Sequence, residues 1–430
     1  MPIVFVHGVR VRNDGAFREV EPLLRRHVAP RLRPGDSGAV AIEHAYWGDL
    51  GVTWAWNMAS RPRGVLGQGV AGSVSPLELV AATEAGGTLH QATDAVEGAV
   101  APAGVLTMGG AGGAERAVTP LRELGSDELA DTLMAFIEAE AGKNGPNARP
   151  AVDGFTTLAA ADVAAAPPEL GGVSEREQLG ALVEHTLVRA AALRRAAAGD
   201  GVAAQGGGAE EGGVLAQGGF GDFVDRVKET FGRAVSAPGY VLSRGVGELR
   251  FAVHGFVADF TGDVFVYLDR RGKAGAPGPI PKRFLDAVER ARAASSPGEP
   301  LVVLTHSMGG QIAYDAFTTF APQLEVAFWA SAGSQVAFFE EAKLFLASNN
   351  ASGGAVRQAT PPKVAAWWNV WDPNDIVSFT GADIFKAAPP ARFVDQAFVT
   401  GAGLALAHVS YFKRPSFWSA LVGQMEAAGL

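Results

Sequence analysis

The chain contains no cysteine, which excludes disulfides, thiolate metal sites and a cysteine nucleophile in one step. Compartment does not follow from this, because a cysteine-free chain folds in either redox environment. Long apolar runs are missing as well: Gly, Pro or charge interrupts every greasy stretch before the ~18 residues that a membrane-spanning helix requires. No dense Lys/Arg block occurs, and 36 basic against 45 acidic residues leave a net charge of -9, so a general nucleic-acid binder is excluded. The histidines show neither H-x-x-x-H nor clustered-carboxylate spacing, and neither a metal nor another cofactor is expected. Core-forming residues, by contrast, make up 48% of the chain. Over 430 residues that suits two or three domains, or one α/β domain with a large insertion.

The order of elements favours the α/β alternative. Pro2 to Val6 is β-branched and aromatic, too short for a helix and closed by Gly8, so it reads as a buried strand. Asn13-Asp14-Gly15 marks a turn, and Phe17, Val20, Leu24 and Val28 recur at helical spacing before a second strand over Ala39 to Ala45. Strand, helix, strand in that order opens a parallel α/β sheet. With no basic leader before this first strand, the chain is expected to be cytoplasmic, leaderless export being left open.

From Gly51 to Gly219 the texture changes to Ala and Gly with two helical patches, Glu128 to Glu140 and Glu177 to Ala198. The stretch Gly199 to Gly219 reads as a loop. Residues 51–219 are therefore expected to form a mainly helical cap inserted between a first core segment, 1–50, and a second, 220–430. The second begins with an amphipathic pattern, Phe220 to Val235, that suits either a core-packing helix or a lid lying on a lipid surface. Further strands are expected at Leu301 to Leu304, Leu324 to Ala330, Val364 to Val370 and Phe393 to Val399, with a helix from Gly309.

The apolar run Leu301-Val302-Val303-Leu304 leads directly into Thr305-His306-Ser307-Met308-Gly309-Gly310. A short strand that ends in a serine among small residues and then enters a helix has the form of a nucleophile elbow, G-x-S-x-G, with Thr305 in place of the first glycine. Gly309 and Gly310 let the helix start close to the strand and leave the Ser307 hydroxyl exposed above the sheet edge. A serine hydroxyl needs a histidine base, and the base needs an orienting acid. In the chain order serine, acid, histidine, His408 is the one histidine beyond Ser307, while His306 abuts the serine and is expected to point away. His408 falls in a predicted loop after the last strand. For the acid, Asp375 is preferred because Pro373-Asn374 carries it clear of the strand end, and Asp372 is the alternative, otherwise a turn cap. An oxyanion needs two backbone N–H donors. Met308 supplies one, and the His7-Gly8-Val9 loop supplies the other through Val9, with Gly8 allowing the turn; Val253-His254-Gly255-Phe256 is a weaker rival.

Taken together, Phe5-Val6-His7-Gly8-Val9, Thr305 to Gly310, Asn374-Asp375-Ile376-Val377 and Ala407-His408-Val409-Ser410-Tyr411 resemble the α/β-hydrolase superfamily. Within it they look closest to lipases and esterases, including the GPI inositol-deacylase-like and class 3 lipase groups. Ala332-Gly333-Ser334 lies where lipase relatives often carry Gly-Ser-Pro, and Tyr46-Trp47-Gly48-Asp49 resembles a segment of bacterial members. The resemblance spans residues 1–50 and about 250–430 and leaves out the insertion. It implies a doubly wound, mainly parallel sheet with a cap, and hydrolysis of a carboxylic ester through Ser307, His408 and Asp375. The expected substrate is a lipid or other apolar acyl ester, from an apolar lining of Met308, Phe338, Phe339 and Trp371, with peripheral membrane contact through the cap or residues 220–235. The same frame also serves thioesterases and acyltransferases, and a non-catalytic interaction protein using the cap is the alternative from another class.

Overall fold

The computed structural model describes residues 1–56, 121–143, 152–168, 175–199, 257–349, 357–402 and 404–430. The expected loop over 200–219, the amphipathic pattern at 220–235 and the rival loop at 253–256 lie outside the described residues. Two units are distinguished, one of Met1–Leu66, Arg250–Tyr411 and Phe417–Leu430, the other of Gly67–Leu249 and Phe412–Ser416.

The first unit is an α/β fold built on one six-stranded sheet. Its strands are β1 (Ile3–Val6), β2 (Ile42–Ala45), β3 (Leu301–His306), β4 (Val326–Ala332), β5 (Ala366–Trp371) and β6 (Arg392–Ala397). They lie in the order β6-β5-β4-β3-β1-β2, and every adjacent pair is parallel. From β1 the chain winds outward to β2 on one side and to β3 and beyond on the other, so the order reverses between β1 and β3. In an open parallel sheet that reversal leaves a crevice at the carboxyl ends of the two strands, the usual seat of a ligand. The residues that leave those ends are His7-Gly8 from β1 and Ser307 from β3.

Burial on both faces explains why the inner strands β1, β3, β4 and β5 read as mainly apolar runs rather than alternating ones. Successive residues of β5 show it: Trp367 stacks on Trp329 of β4 with centroids 4.4 Å apart, and Trp368, which projects to the other face, packs against Phe417 at 5.4 Å. The helix Pro279–Ala293 lays Ile280, Phe284, Ala287, Val288 and Ala291 into the same core as Val4, Val303 and Trp329. That spacing of three and four residues is the apolar stripe of a helix packed on a sheet.

Several strand and helix limits differ from the sequence expectation, each for a local reason. β4 starts at Val326 rather than Leu324, because the Leu324 N–H turns back to the Ala321 carbonyl. β5 starts at Ala366, since Val364 is held in a turn by the Pro361 carbonyl. β2 starts at Ile42 after a short helical turn, Ser37–Ala39. The first helix, Gly15–Leu23, contains Pro22 and gives way to a wide turn, Leu24–Val28, before Ala29–Leu32. Pro22 has no N–H to donate to the preceding turn, which loosens the ladder there.

The second unit packs three helices, Ser126–Lys143, Gly154–Ala165 and Glu175–Gly199, around Leu133, Met134, Ile137, Val163, Val183 and Leu187. The middle helix had no amphipathic signal because Ala, Thr, Leu and Val are buried on every side of it. It starts just after Asp153, which accepts the Thr156 N–H at 3.0 Å in a capping box. Among the described residues no helix is long and apolar enough to cross a membrane.

Candidate active site

The crevice between β1 and β3 is where the sequence-predicted residues converge. Leu301 to Thr305 of β3 are buried, and the chain then turns at Ser307, whose φ of 53° lies in the left-handed region. A non-glycine residue is held there only when its surroundings fix it, and such strain gathers at functional turns. Here the Ser307 N–H is tied to the Ala332 carbonyl at 2.9 Å, and the Ser307 carbonyl already accepts the Gly310 N–H at 2.9 Å, so the helix Gly309–Asp315 begins at once. That helix approaches β1 so closely that a Cβ on Gly309 would stand 2.5 Å from the Val6 carbonyl oxygen. Thr305 is accommodated in the glycine position because it is still inside the strand: its hydroxyl donates to the Ala330 carbonyl at 3.2 Å and accepts the Trp329 indole N–H at 3.0 Å.

Ser307 is wholly buried, not exposed above the sheet edge. One cause is the loop after β1, where a Cβ on Gly8 would come within 2.6 Å of the Ser307 Cβ. Another is His408, whose Nε2 lies 2.9 Å from the Ser307 Oγ. His408 belongs to a helix, Leu404–Ser410, rather than to a loop. Its Nδ1 lies 2.8 Å from Oδ2 of Asp375. A carboxylate only accepts, so the ring proton sits on Nδ1 and Nε2 is left to accept from the serine hydroxyl.

Each of the two competing aspartates has a distinct set of bonds. Asp375 takes the His408 Nδ1–H and the Tyr411 hydroxyl (3.0 Å) on Oδ2, and the Val377 N–H (3.0 Å) on Oδ1. Asp372 is occupied in bracing the turn: Oδ1 accepts the Asn374 N–H at 2.8 Å, and Oδ2 accepts the Thr400 N–H and hydroxyl at 2.7 and 2.6 Å. Tyr411 joins the pair, since its hydroxyl oxygen also accepts the Asp372 N–H at 2.8 Å. Burial, with the Asp375 charge beside it, pushes the Tyr411 hydroxyl well above its usual range. The phenol therefore remains a donor to Asp375.

His306 does not point away from the site. Its ring lies 4.9 Å from that of His408 and its Nε2 is 2.6 Å from the His408 carbonyl oxygen, to which it donates. Burial pulls its pKa down to about 3, so it is neutral and braces the main chain of His408. His7 is comparable, brought down to about 3 mainly by burial. Its Nε2 accepts the Trp47 N–H at 3.0 Å, which leaves Nδ1–H to donate to the Gly8 carbonyl at 2.7 Å.

That last bond orients the neighbouring donor. In a trans peptide the C=O and the following N–H point in opposite directions, so fixing the Gly8 carbonyl on His7 turns the Val9 N–H the other way. Among the described residues neither the Val9 N–H nor the Met308 N–H has a hydrogen-bond acceptor. Both are buried, Met308 beside Ser307 in sequence and Val9 beside Gly8, which touches the serine. Two open N–H donors near one hydroxyl are what an oxyanion requires.

Compared with protein-family models, curated proteins and solved structures, the chain matches none of them. The chemistry of the site therefore rests on its own geometry: a serine hydroxyl that can pass its proton to an oriented imidazole as it attacks an electrophile. The expected apolar lining is redistributed. Met308 and Phe339 belong to the core, Phe338 is exposed and stacks on Phe379 at 4.9 Å, and Trp371 donates its indole N–H to Asp395 at 3.2 Å. Ile376 and Val409, which follow Asp375 and His408 in the sequence, are exposed. The bracing roles of Tyr411, His306 and His7 had no sequence signal beyond their nearness to the motifs.

Proposed function

We propose that this chain is a serine hydrolase that cleaves carboxylic esters on an α/β-hydrolase frame, with residues 51–219 as an inserted cap. The observation that carries the reading is the unbroken chain of hydrogen bonds Ser307 Oγ, His408, Asp375, at 2.9 and 2.8 Å, beginning at a serine in the left-handed region. In the proposed reaction Ser307 Oγ attacks the ester carbonyl carbon while its proton passes to His408 Nε2. The carbonyl oxygen becomes an oxyanion held by the Val9 and Met308 N–H groups. Collapse expels the alcohol, which leaves with the proton from His408, and Ser307 keeps the acyl group. Water then repeats the attack, gives one proton to His408 and releases the carboxylic acid as Ser307 recovers its hydrogen. Asp375 keeps accepting the His408 Nδ1–H throughout and so stabilises the imidazolium. The preferred substrate is a lipid or other apolar acyl ester, the class that the lipase- and esterase-like motifs suggest.

Hydrolysis of nitrophenyl esters of short and long acyl chains tests this reading. Turnover that Ser307→Ala abolishes, and that is greater with the longer chains, is expected. Equal absence of turnover in both proteins contradicts ester hydrolysis, and a preference for short, polar acyl groups contradicts the lipid substrate.

A further inference from the structure

The loop after β1 is pinned on both sides of Val9. Upstream, the Gly8 carbonyl is taken by His7. Downstream, the Arg10 N–H donates at 2.9 Å to Oδ2 of Asp263, a residue 253 positions later in the helical residues 257–270. Arg10 has a φ of 65°, a left-handed conformation that a non-glycine residue keeps only when it is held. The carboxylate that holds it is wholly buried and saturated. Besides Arg10 N–H it accepts Arg12 Nη1 at 3.0 Å on Oδ2, and Arg12 Nη2 and the Val52 N–H, each at 2.7 Å, on Oδ1. Four donors match the four lone-pair directions of an ionised carboxylate, a set that an amide cannot reproduce. The fit is close: a Cβ on Gly51 would lie 2.6 Å from Asp263 Oδ1.

We propose, on the basis of the serine-hydrolase reading above, that Asp263 is a positioning residue for the oxyanion donor. By fixing the left-handed turn at Arg10 it aims the Val9 N–H at the substrate carbonyl oxygen. The peptide before Val9 is fixed through its carbonyl and the peptide after it through its N–H, so one donor between them is left open and cannot rotate away. Arg12 has a second task. An uncompensated buried carboxylate beside this loop would oppose a developing oxyanion, and the guanidinium at 2.7 Å offsets that charge.

The test compares wild type with Asp263→Asn in the full chain, using a nitrophenyl ester and counting active sites by fluorophosphonate titration carried to completion. The asparagine offers one acceptor oxygen, so the Arg10 and Val52 N–H groups cannot both be held. The expected result is kcat per titrated site lower by roughly 10- to 100-fold with KM within about twofold, as when an oxyanion donor is weakened. Binding of a trifluoromethyl ketone, which mimics the tetrahedral state, weakens in parallel. Gly51→Ala is a second variant that displaces the same carboxylate by its methyl group and keeps the test open if Asp263→Asn does not fold. Its kcat is expected to fall while KM holds. A kcat per titrated site equal to wild type in the variant that folds, with only a lower melting temperature, overturns the proposal and makes Asp263 a structural ion-pair partner. Absence of ester turnover and of labelling in the wild type contradicts the serine-hydrolase reading instead.

Discussion

Replacing each aspartate of the 372–375 turn by asparagine separates their roles. In Asp375→Asn the side chain has two orientations, and neither keeps all three bonds. With its amide NH2 in the place of Oδ2 it faces two donors, His408 Nδ1–H and the Tyr411 hydroxyl. His408 then has to accept on Nδ1 and carry its proton on Nε2, which turns a donor toward Ser307 and removes the base. With the NH2 in the place of Oδ1 it meets the Val377 N–H, donor against donor. In the first orientation the wrong tautomer costs about 10⁴ in kcat, or about 5.4 kcal/mol in the barrier, with the fold intact, and in the second the imidazolium loses its carboxylate charge. Asp372→Asn instead disturbs the bonds to Asn374 and Thr400. A buried charged hydrogen bond lost at one partner costs about 1–3 kcal/mol of stability, so the ester turnover proposed for the folded protein should stay within about tenfold. Turnover of a nitrophenyl ester and a urea melt on both variants decide the matter. A loss of 10³-fold or more in Asp372→Asn beside near-normal Asp375→Asn would refute the assignment of the acid.

Tyr411→Phe keeps the ring but removes the donor to Asp375 and leaves the Asp372 N–H unpaired, which should lower stability by about 1–3 kcal/mol in a urea melt. Gly309→Ala drives a methyl into the Val6 carbonyl and should cost about 1–3 kcal/mol by overpacking, read as a lower melting temperature, with ester turnover falling as β1 shifts from Ser307. For His7 burial lowers the folded pKa from 6.5 to about 3, so the unfolded chain takes up the proton first as pH falls. Its contribution to stability is complete above pH 6.5 and is lost toward pH 3; the loss reaches about 2 kcal/mol by pH 5, measurable as a lower urea midpoint than at pH 7. An unchanged or higher midpoint at pH 5 would show that His7 is not held neutral.

How much of this was visible in the sequence depended on how local its cause was. The elbow was legible because a strand, a serine and two glycines lie within ten residues, and because Gly309 has no room for a side chain beside β1. The preference for Asp375 over Asp372 rested on the Pro373-Asn374 turn between them, a local signal, and Asp375 is the one that lies 2.8 Å from His408 Nδ1. The helix around His408 was less visible, since seven residues, Leu404–Ser410, are too few for periodicity to declare a helix. The burial of Ser307 was out of reach, because it depends on Gly8 and His408 brought in from distant parts of the chain. The same holds for Asp263, whose four donors come from Arg10, Arg12 and Val52, more than 200 residues away, with no pattern around Asp263 itself to announce them.

The central claim, that Ser307 is an activated nucleophile, is tested most directly by fluorophosphonate labelling followed by peptide mapping, because only a serine whose proton has an oriented base reacts readily with that probe. Covalent modification at Ser307, absent in Ser307→Ala and strongly slowed in His408→Ala, is the predicted result. An unmodified Ser307 in the folded protein, or labelling confined to another serine, would contradict it.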